Sequence, residues 1–169
     1  MRTAAAAAGS SLFFAVAPGV VAGVVPWMLT RWEAADPSWP GPVRVIGATL
    51  LALSAVVLVQ AFVRFVREGH GTPAPVAPTE QLVVGGLYRY VRNPMYVAVV
   101  GAIVGQALLL GRPVLVVYAA VAGACMAAFV RGYEEPLLAA RYGEQYRAYR
   151  RAVPRWLPRL RPWTSDTAG

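Results

Sequence analysis

With 57% hydrophobic residues and a mean hydropathy of +0.50, the 169-residue chain is more apolar than a soluble domain, for which about 45–50% is usual. Charged residues are only 14% of the chain, yet its net charge is +8, and all 16 basic residues are arginine. A single cysteine (Cys125) and a single histidine (His70) exclude an intrachain disulfide and a Cys/His metal cluster, and arginines that flank long apolar runs argue against a soluble nucleic-acid-binding domain.

Apolar runs of about 20 residues are long enough to cross a bilayer as helices. The first, residues 12–30, contains Pro18 and Pro26, which a membrane helix tolerates when neighbours satisfy the carbonyls they release. Its apolar run is long for a signal peptide and carries no clear cleavage site. The second span is expected at 45–63, after a connection in which Trp32 and Trp39 are candidate interfacial anchors. Residues 96–111 and 114–130, separated by Arg112-Pro113, read as a helical hairpin. Thirteen of the sixteen arginines lie at the N-terminus, in the 64–95 connection and in the 131–169 tail, whereas Arg31, Arg44 and Arg112 lie on the opposite side. The positive-inside rule therefore predicts cytoplasmic termini and a cytoplasmic 64–95 loop. The expectation is an all-α, four-span membrane bundle forming a single domain over 1–169, in a bacterial cytoplasmic membrane. Small residues at Gly19/Gly23, Gly101/Gly105 and Ala119/Gly123/Ala127 mark places where helices can approach closely.

Two segments on the predicted cytoplasmic side are richer than connectors need to be. In "GLYRYVRNPMY", Gly86–Tyr96, Pro94 disfavours helix at Asn93 and suits the first turn of the next helix. The tail places Glu135, Leu138, Tyr142, Tyr146, Tyr149 and Val153 on one stripe of an amphipathic helix that begins at Glu134-Glu135-Pro136. A plain account is available for both: tyrosines as an interfacial belt, and glutamates favoured at a helix N-terminus by its dipole. Together, however, the segments offer carboxylates for an ammonium, guanidiniums for a carboxylate and aromatic faces for a sulfonium or heterocycle. Arg92 and Glu135 are expected to grip opposite ends of such a zwitterion from positions near the surface. Tyr149, several turns beyond Glu135, is expected to be peripheral and to tolerate tryptophan.

These motifs carry a resemblance. Gly86-Leu87-Tyr88, Arg92-Asn93-Pro94-Met95-Tyr96, Glu134-Glu135-Pro136-Leu137-Leu138, Tyr142-Gly143, Tyr146, Tyr149 and Val153-Pro154 are similar, in order and spacing, to the signature of the integral-membrane methyltransferases that include isoprenylcysteine carboxyl methyltransferase and the phospholipid methyltransferases. The resemblance runs from Gly69 to Pro158. It implies methyl transfer from S-adenosylmethionine to a lipidic or small membrane-partitioning acceptor at the cytoplasmic face, with no metal. By carry-over, Tyr88, Arg92, Asn93, Pro94, Tyr96, Glu134 and Glu135 line the cofactor or reaction site, Gly71-Thr72-Pro73 form an adenosine wall, and Arg92, Glu135 and Glu134 are the catalytic candidates. The family's usual histidine is Asn93 here, which hydrogen-bonds but is no base at neutral pH. Two alternatives remain: an NADPH-dependent membrane reductase of related architecture, and a non-enzymatic membrane protein.

Overall fold

The structure is a computed structural model that describes residues 16–36, 38–69 and 82–164. It is all-α, with no strand among the described residues. Helix α1 runs Val16–Thr30, α2 Gly41–Gly69, α3 Pro94–Leu110, α4 Pro113–Phe129 and α5 Glu135–Ala152. Helix α2 is longer at both ends than the 45–63 span expected from apolarity, because Arg44, Arg64 and Arg67 continue the helix while their long side chains can reach polar surroundings. The hairpin forms as expected. Gly111, at φ 65°, ends α3 in the left-handed conformation and Pro113 opens α4 at its first turn.

Helix α2 packs chiefly along α3. The two backbones nearly touch: a methyl added at Gly105 would lie 2.8 Å from Leu51 N, and one at Gly47 would lie 2.7 Å from Gly105 O. Gly101 faces Ser54 in the same seam. Of the small-residue pairs, Gly101/Gly105 therefore marks a helix contact, whereas Gly19 and Gly23 have open space before them. The core between α3 and α4 is built on Ile103, Ala107, Leu115 and Ala119, with Val21, Ala22 and Leu58 packed against it.

Helix α1 widens into a π-turn over Val20–Val24, where Val25 N–H donates to Val20 O. Pro26 has no N–H to give the carbonyl one turn earlier, which is that of Ala22. Gln106 of α3, itself buried, donates Nε2–H to Ala22 O at 2.7 Å, and the Tyr118 hydroxyl of α4 donates to Val21 O at 2.8 Å. The released carbonyls are thus satisfied by the hairpin, which ties α1 to it.

The surface of this bundle is apolar where a soluble protein is polar. Two helices are long and apolar enough to cross a membrane: Gly41–Arg64, with mean hydropathy 2.3, and the rod beginning at Pro113, with 2.2. Only 17% of the first apolar window is buried within the protein, so Val45, Ile46, Leu53, Val56 and Val59 face outward. A core helix of a soluble protein buries those positions. Helices Val16–Thr30 and Pro94–Leu110 are apolar but shorter.

Candidate functional site

The chemistry-bearing side chains gather at the end of the bundle where α3 begins and α4 ends. Residues Gly86–Arg89 form a 3₁₀ turn, and Pro94 is the first residue of α3. At the end of α4 a second π-turn, Val130–Glu134, precedes Glu135-Pro136, with Glu135 N–H donating to Val130 O. As in α1, the widened turn sits just before a proline that lacks a donor. It leaves two adjacent glutamates turned to different partners.

Glu135 is buried within a triad. Its Oε1 accepts from Arg92 Nη1 at 2.8 Å and from Arg155 Nε at 2.7 Å, and its Oε2 accepts from Arg155 Nη2 at 2.7 Å. Burial by itself would raise this carboxyl. The Arg155 hydrogen bonds and the charges of Arg92, Arg155 and Arg150 outweigh burial and hold it below its ordinary value. The side chains of Arg92 and Glu135 are 9% and 7% exposed, so the near-surface positions expected for them are corrected: the pair is internal, and its members hold each other. Arg92 also donates to the Tyr146 hydroxyl at 3.4 Å. Among the described residues its Nε is a buried donor that no acceptor meets.

Glu134 has a different environment. Its Oε2 accepts from the Tyr96 hydroxyl at 3.1 Å, and among the described residues no cation pairs with it. Burial raises its carboxyl, the Tyr96 hydrogen bond partly offsets this, and the neighbouring charge of Glu135 raises it further. Beside this pair an apolar groove of about 340 Å³ opens between the two hairpin helices. Tyr96, Val97 and Val100 form its α3 wall, Gly123, Met126 and Ala127 its α4 wall, and Trp156 of the tail covers one side.

The tail folds back over this end of the bundle. Helix α5 is not the continuous amphipathic rod expected: Gly143, at φ 51° and ψ −123°, breaks it. That backbone is open to glycine and strained for other residues, so the chain can turn there. The stripe is bent there but not parted: Leu138 and Tyr142 before the break pack against the buried Tyr146, Tyr149 and Val153 beyond it, and Arg92 bonds both Glu135 and Tyr146. After Val153-Pro154 the chain runs back along residues 89–92. Arg92 N donates to Pro154 O, Arg159 N to Tyr90 O and Trp163 N to Arg89 O, at 2.9–3.0 Å. The Asn93 amide donates to Arg155 O at 3.1 Å. Tyr149 is 3% exposed and its hydroxyl donates to Tyr88 O at 2.7 Å, so it is a core residue and not the peripheral ring expected from its distance along the helix.

Of the residues singled out in the sequence, Arg92 meets Glu135 and Tyr96 meets Glu134. Pro94 is buried at the start of α3, and Tyr88 packs with Ala61, Val83 and Met95 in the core. Gly71, Thr72 and Pro73 lie outside the described residues. Arg155 and Trp156 were missed. Nothing local marks them, since they follow a helix end among eight tail arginines; only the Val153-Pro154 stop hinted that the chain reverses there.

A profile of the phospholipid methyltransferase family matches residues 43–145, well over half of the chain. The match takes in α2, the hairpin, Arg92, Glu134 and Glu135, and ends before Tyr146 and Arg155. Comparison with curated proteins gives no match.

Proposed function

The chain belongs to the phospholipid methyltransferase family, and from that premise we propose that it transfers a methyl group from S-adenosylmethionine to a lipidic or small membrane-partitioning acceptor at the cytoplasmic face of a membrane. The observation that carries this reading is the Tyr96–Glu134 pair beside an apolar groove between two hairpin helices. A half-buried carboxylate that meets no cation among the described residues sits where a lipid-borne group can arrive sideways. The proposal includes four spans, α1 to α4, with the arginine-rich end and both termini in the cytosol.

The residues present suit the donor. It carries a carboxylate, an ammonium and a sulfonium, and among the described residues this end of the bundle offers a buried guanidinium nitrogen without an acceptor and a half-buried carboxylate without a counter-ion. Arg92 Nε would take the carboxylate, and Glu134 would balance positive charge. Tyr88, Asn93 and Gly71–Pro73 remain proposed wall residues on the strength of the family motif. S-adenosylmethionine supplies an electrophilic methyl group, and displacement at it depends mainly on alignment and exclusion of water. The protein contributes that alignment. Pro94 fixes where α3 starts, the Tyr96 hydroxyl orients the Glu134 carboxylate, and Trp156 shields the groove.

Where the acceptor is an amine, a proton must leave, and Glu134 is the group suited to receive it because its carboxyl is raised. Glu135 has the opposite character. Tied to two arginines and held low, it serves to hold Arg92 and the tail in place.

The test uses the purified protein in lipid nanodiscs with methyl-labelled S-adenosylmethionine and a total lipid extract. Label should enter the organic phase with wild type and not with Glu134→Gln. Binding of NADPH instead would favour the reductase, and binding of neither would favour a non-enzymatic membrane protein.

A further inference from the structure

The tail segment Arg155–Arg161 is held firmly yet leaves two leucines unburied. Its backbone is tied on both flanks: Asn93 holds the Arg155 carbonyl at 3.1 Å, and Arg159 N donates to Tyr90 O at 3.0 Å. The Arg159 side chain adds a bond to Ala152 O at 2.7 Å. Leu157, between the ties at 155 and 159, is 80% exposed, and Leu160, between Arg159 and the Trp163 N bond to Arg89 O, is 98% exposed. A tethered turn gains nothing in water from presenting two bare leucines, and apolar groups exposed together with a polar rim mark an interaction surface.

The level of this turn in the fold identifies what it meets. Trp156, the residue before Leu157, lines the groove with Tyr96 and Val100 of α3 and with Gly123 and Ala127 of α4. These are the first turns of α3 and the last turns of α4, where the hairpin helices leave the apolar layer. Helix α4 itself presents outward apolar residues, among them Val121 and, at its groove end, Phe129. Exposed arginines, Arg151 and Arg161, flank them. Tryptophan, leucine and arginine in one tethered turn match the boundary between acyl chains and anionic headgroups.

We propose that Trp156–Arg161 is an interfacial anchor that inserts Leu157 and Leu160 into the headgroup boundary of an anionic bilayer, and so keeps Trp156 seated at the groove mouth. The surface is distinct from the methyl-transfer site, but the proposal rests on the reading that α4 spans the membrane. The partner is the bilayer, because the leucines share their level with the ends of the membrane helices and are interleaved with cationic side chains.

The experiment places a nitroxide on Leu157→Cys, Leu160→Cys, Val117→Cys or Gln145→Cys, each in a Cys125→Ser background. The proteins are reconstituted in vesicles of phosphatidylethanolamine and phosphatidylglycerol. Accessibility to oxygen and to a water-soluble nickel complex is compared. Labels at 157 and 160 should favour oxygen over nickel, at a shallower depth than 117, while 145 favours nickel. Labels at 157 and 160 that behave like 145 while 117 stays in the apolar layer would overturn the anchor alone. A water-exposed label at 117 would overturn the membrane reading and the anchor with it. Dipolar broadening between labels at 160 would assign the leucines to a second copy of the chain and also overturn the proposal.

Discussion

Replacing Glu135 with glutamine removes the one negative charge between two arginines while keeping the side chain's shape. Arg92, 9% exposed, is then a buried cation with no counter-charge, and Arg155, 20% exposed, loses its bidentate partner. Breaking a buried ion pair from one side costs about 3–5 kcal/mol. Water reaches Arg155 and recovers part of its solvation, so the lower end applies, at about 3 kcal/mol. At about 1.36 kcal/mol per decade this raises opening of the tail about a hundredfold. Hydrogen exchange is the assay, because the amides of Arg92, Arg159 and Trp163 donate to the carbonyls that join the tail to residues 89–92. Exchange across 154–164 should accelerate by that factor in Glu135→Gln while the α2–α3 seam stays protected. Arg155→Met should loosen the same segment less, since Glu135 retains Arg92. The pH dependence has a fixed sign. Glu135 titrates below its ordinary value of 4.5 in the folded protein, so its contribution is complete above that value and is lost as pH falls through the lower folded pKa. Equal exchange of the tail in wild type and Glu135→Gln at neutral pH would refute the holding role of the triad.

Glu134→Gln should behave in the opposite way. Because burial raises its carboxyl, the charged form costs stability near neutral pH, so the glutamine variant should melt at the same temperature or higher while methyl transfer falls by at least about a hundredfold; a lower melting temperature would show that the charge is structural. Tyr149→Phe takes the hydroxyl donor from the buried Tyr88 carbonyl and should cost about 1–3 kcal/mol, and Tyr149→Trp, which also overfills the Tyr146–Trp163 cluster, should cost at least as much, both read from denaturation midpoints. Gln106→Leu should cost about 1–2 kcal/mol by leaving Ala22 O without its donor. The same change should cost less in a Pro26→Ala background, where a backbone N–H is restored; equal costs in the two backgrounds would show that Gln106 does not answer to the proline.

The helical class, the hairpin at Arg112-Pro113 and the start of α3 at Pro94 were all legible along the chain, because each follows from local chemistry. Apolar length, a proline without an N–H and a glycine free to take φ 65° act through near neighbours in sequence. The motif residues Arg92, Tyr96, Glu134 and Glu135 were also legible, as was the pairing of their two segments at one end of the bundle. Which glutamate does what was not. Glu134 and Glu135 are adjacent and chemically identical, and only the π-turn before Pro136 and the return of the tail make one a buried partner of two arginines and the other a partner of Tyr96. The periodicity that set Tyr149 far from the site assumed a continuous helix, and Gly143 breaks that helix. The chain reversal at Val153-Pro154 then returns Arg155 to Glu135, 20 residues earlier, and Trp156 to the groove beside Tyr96. Those contacts join segments far apart in the chain, so no local pattern encodes them and only the folded backbone brings them together.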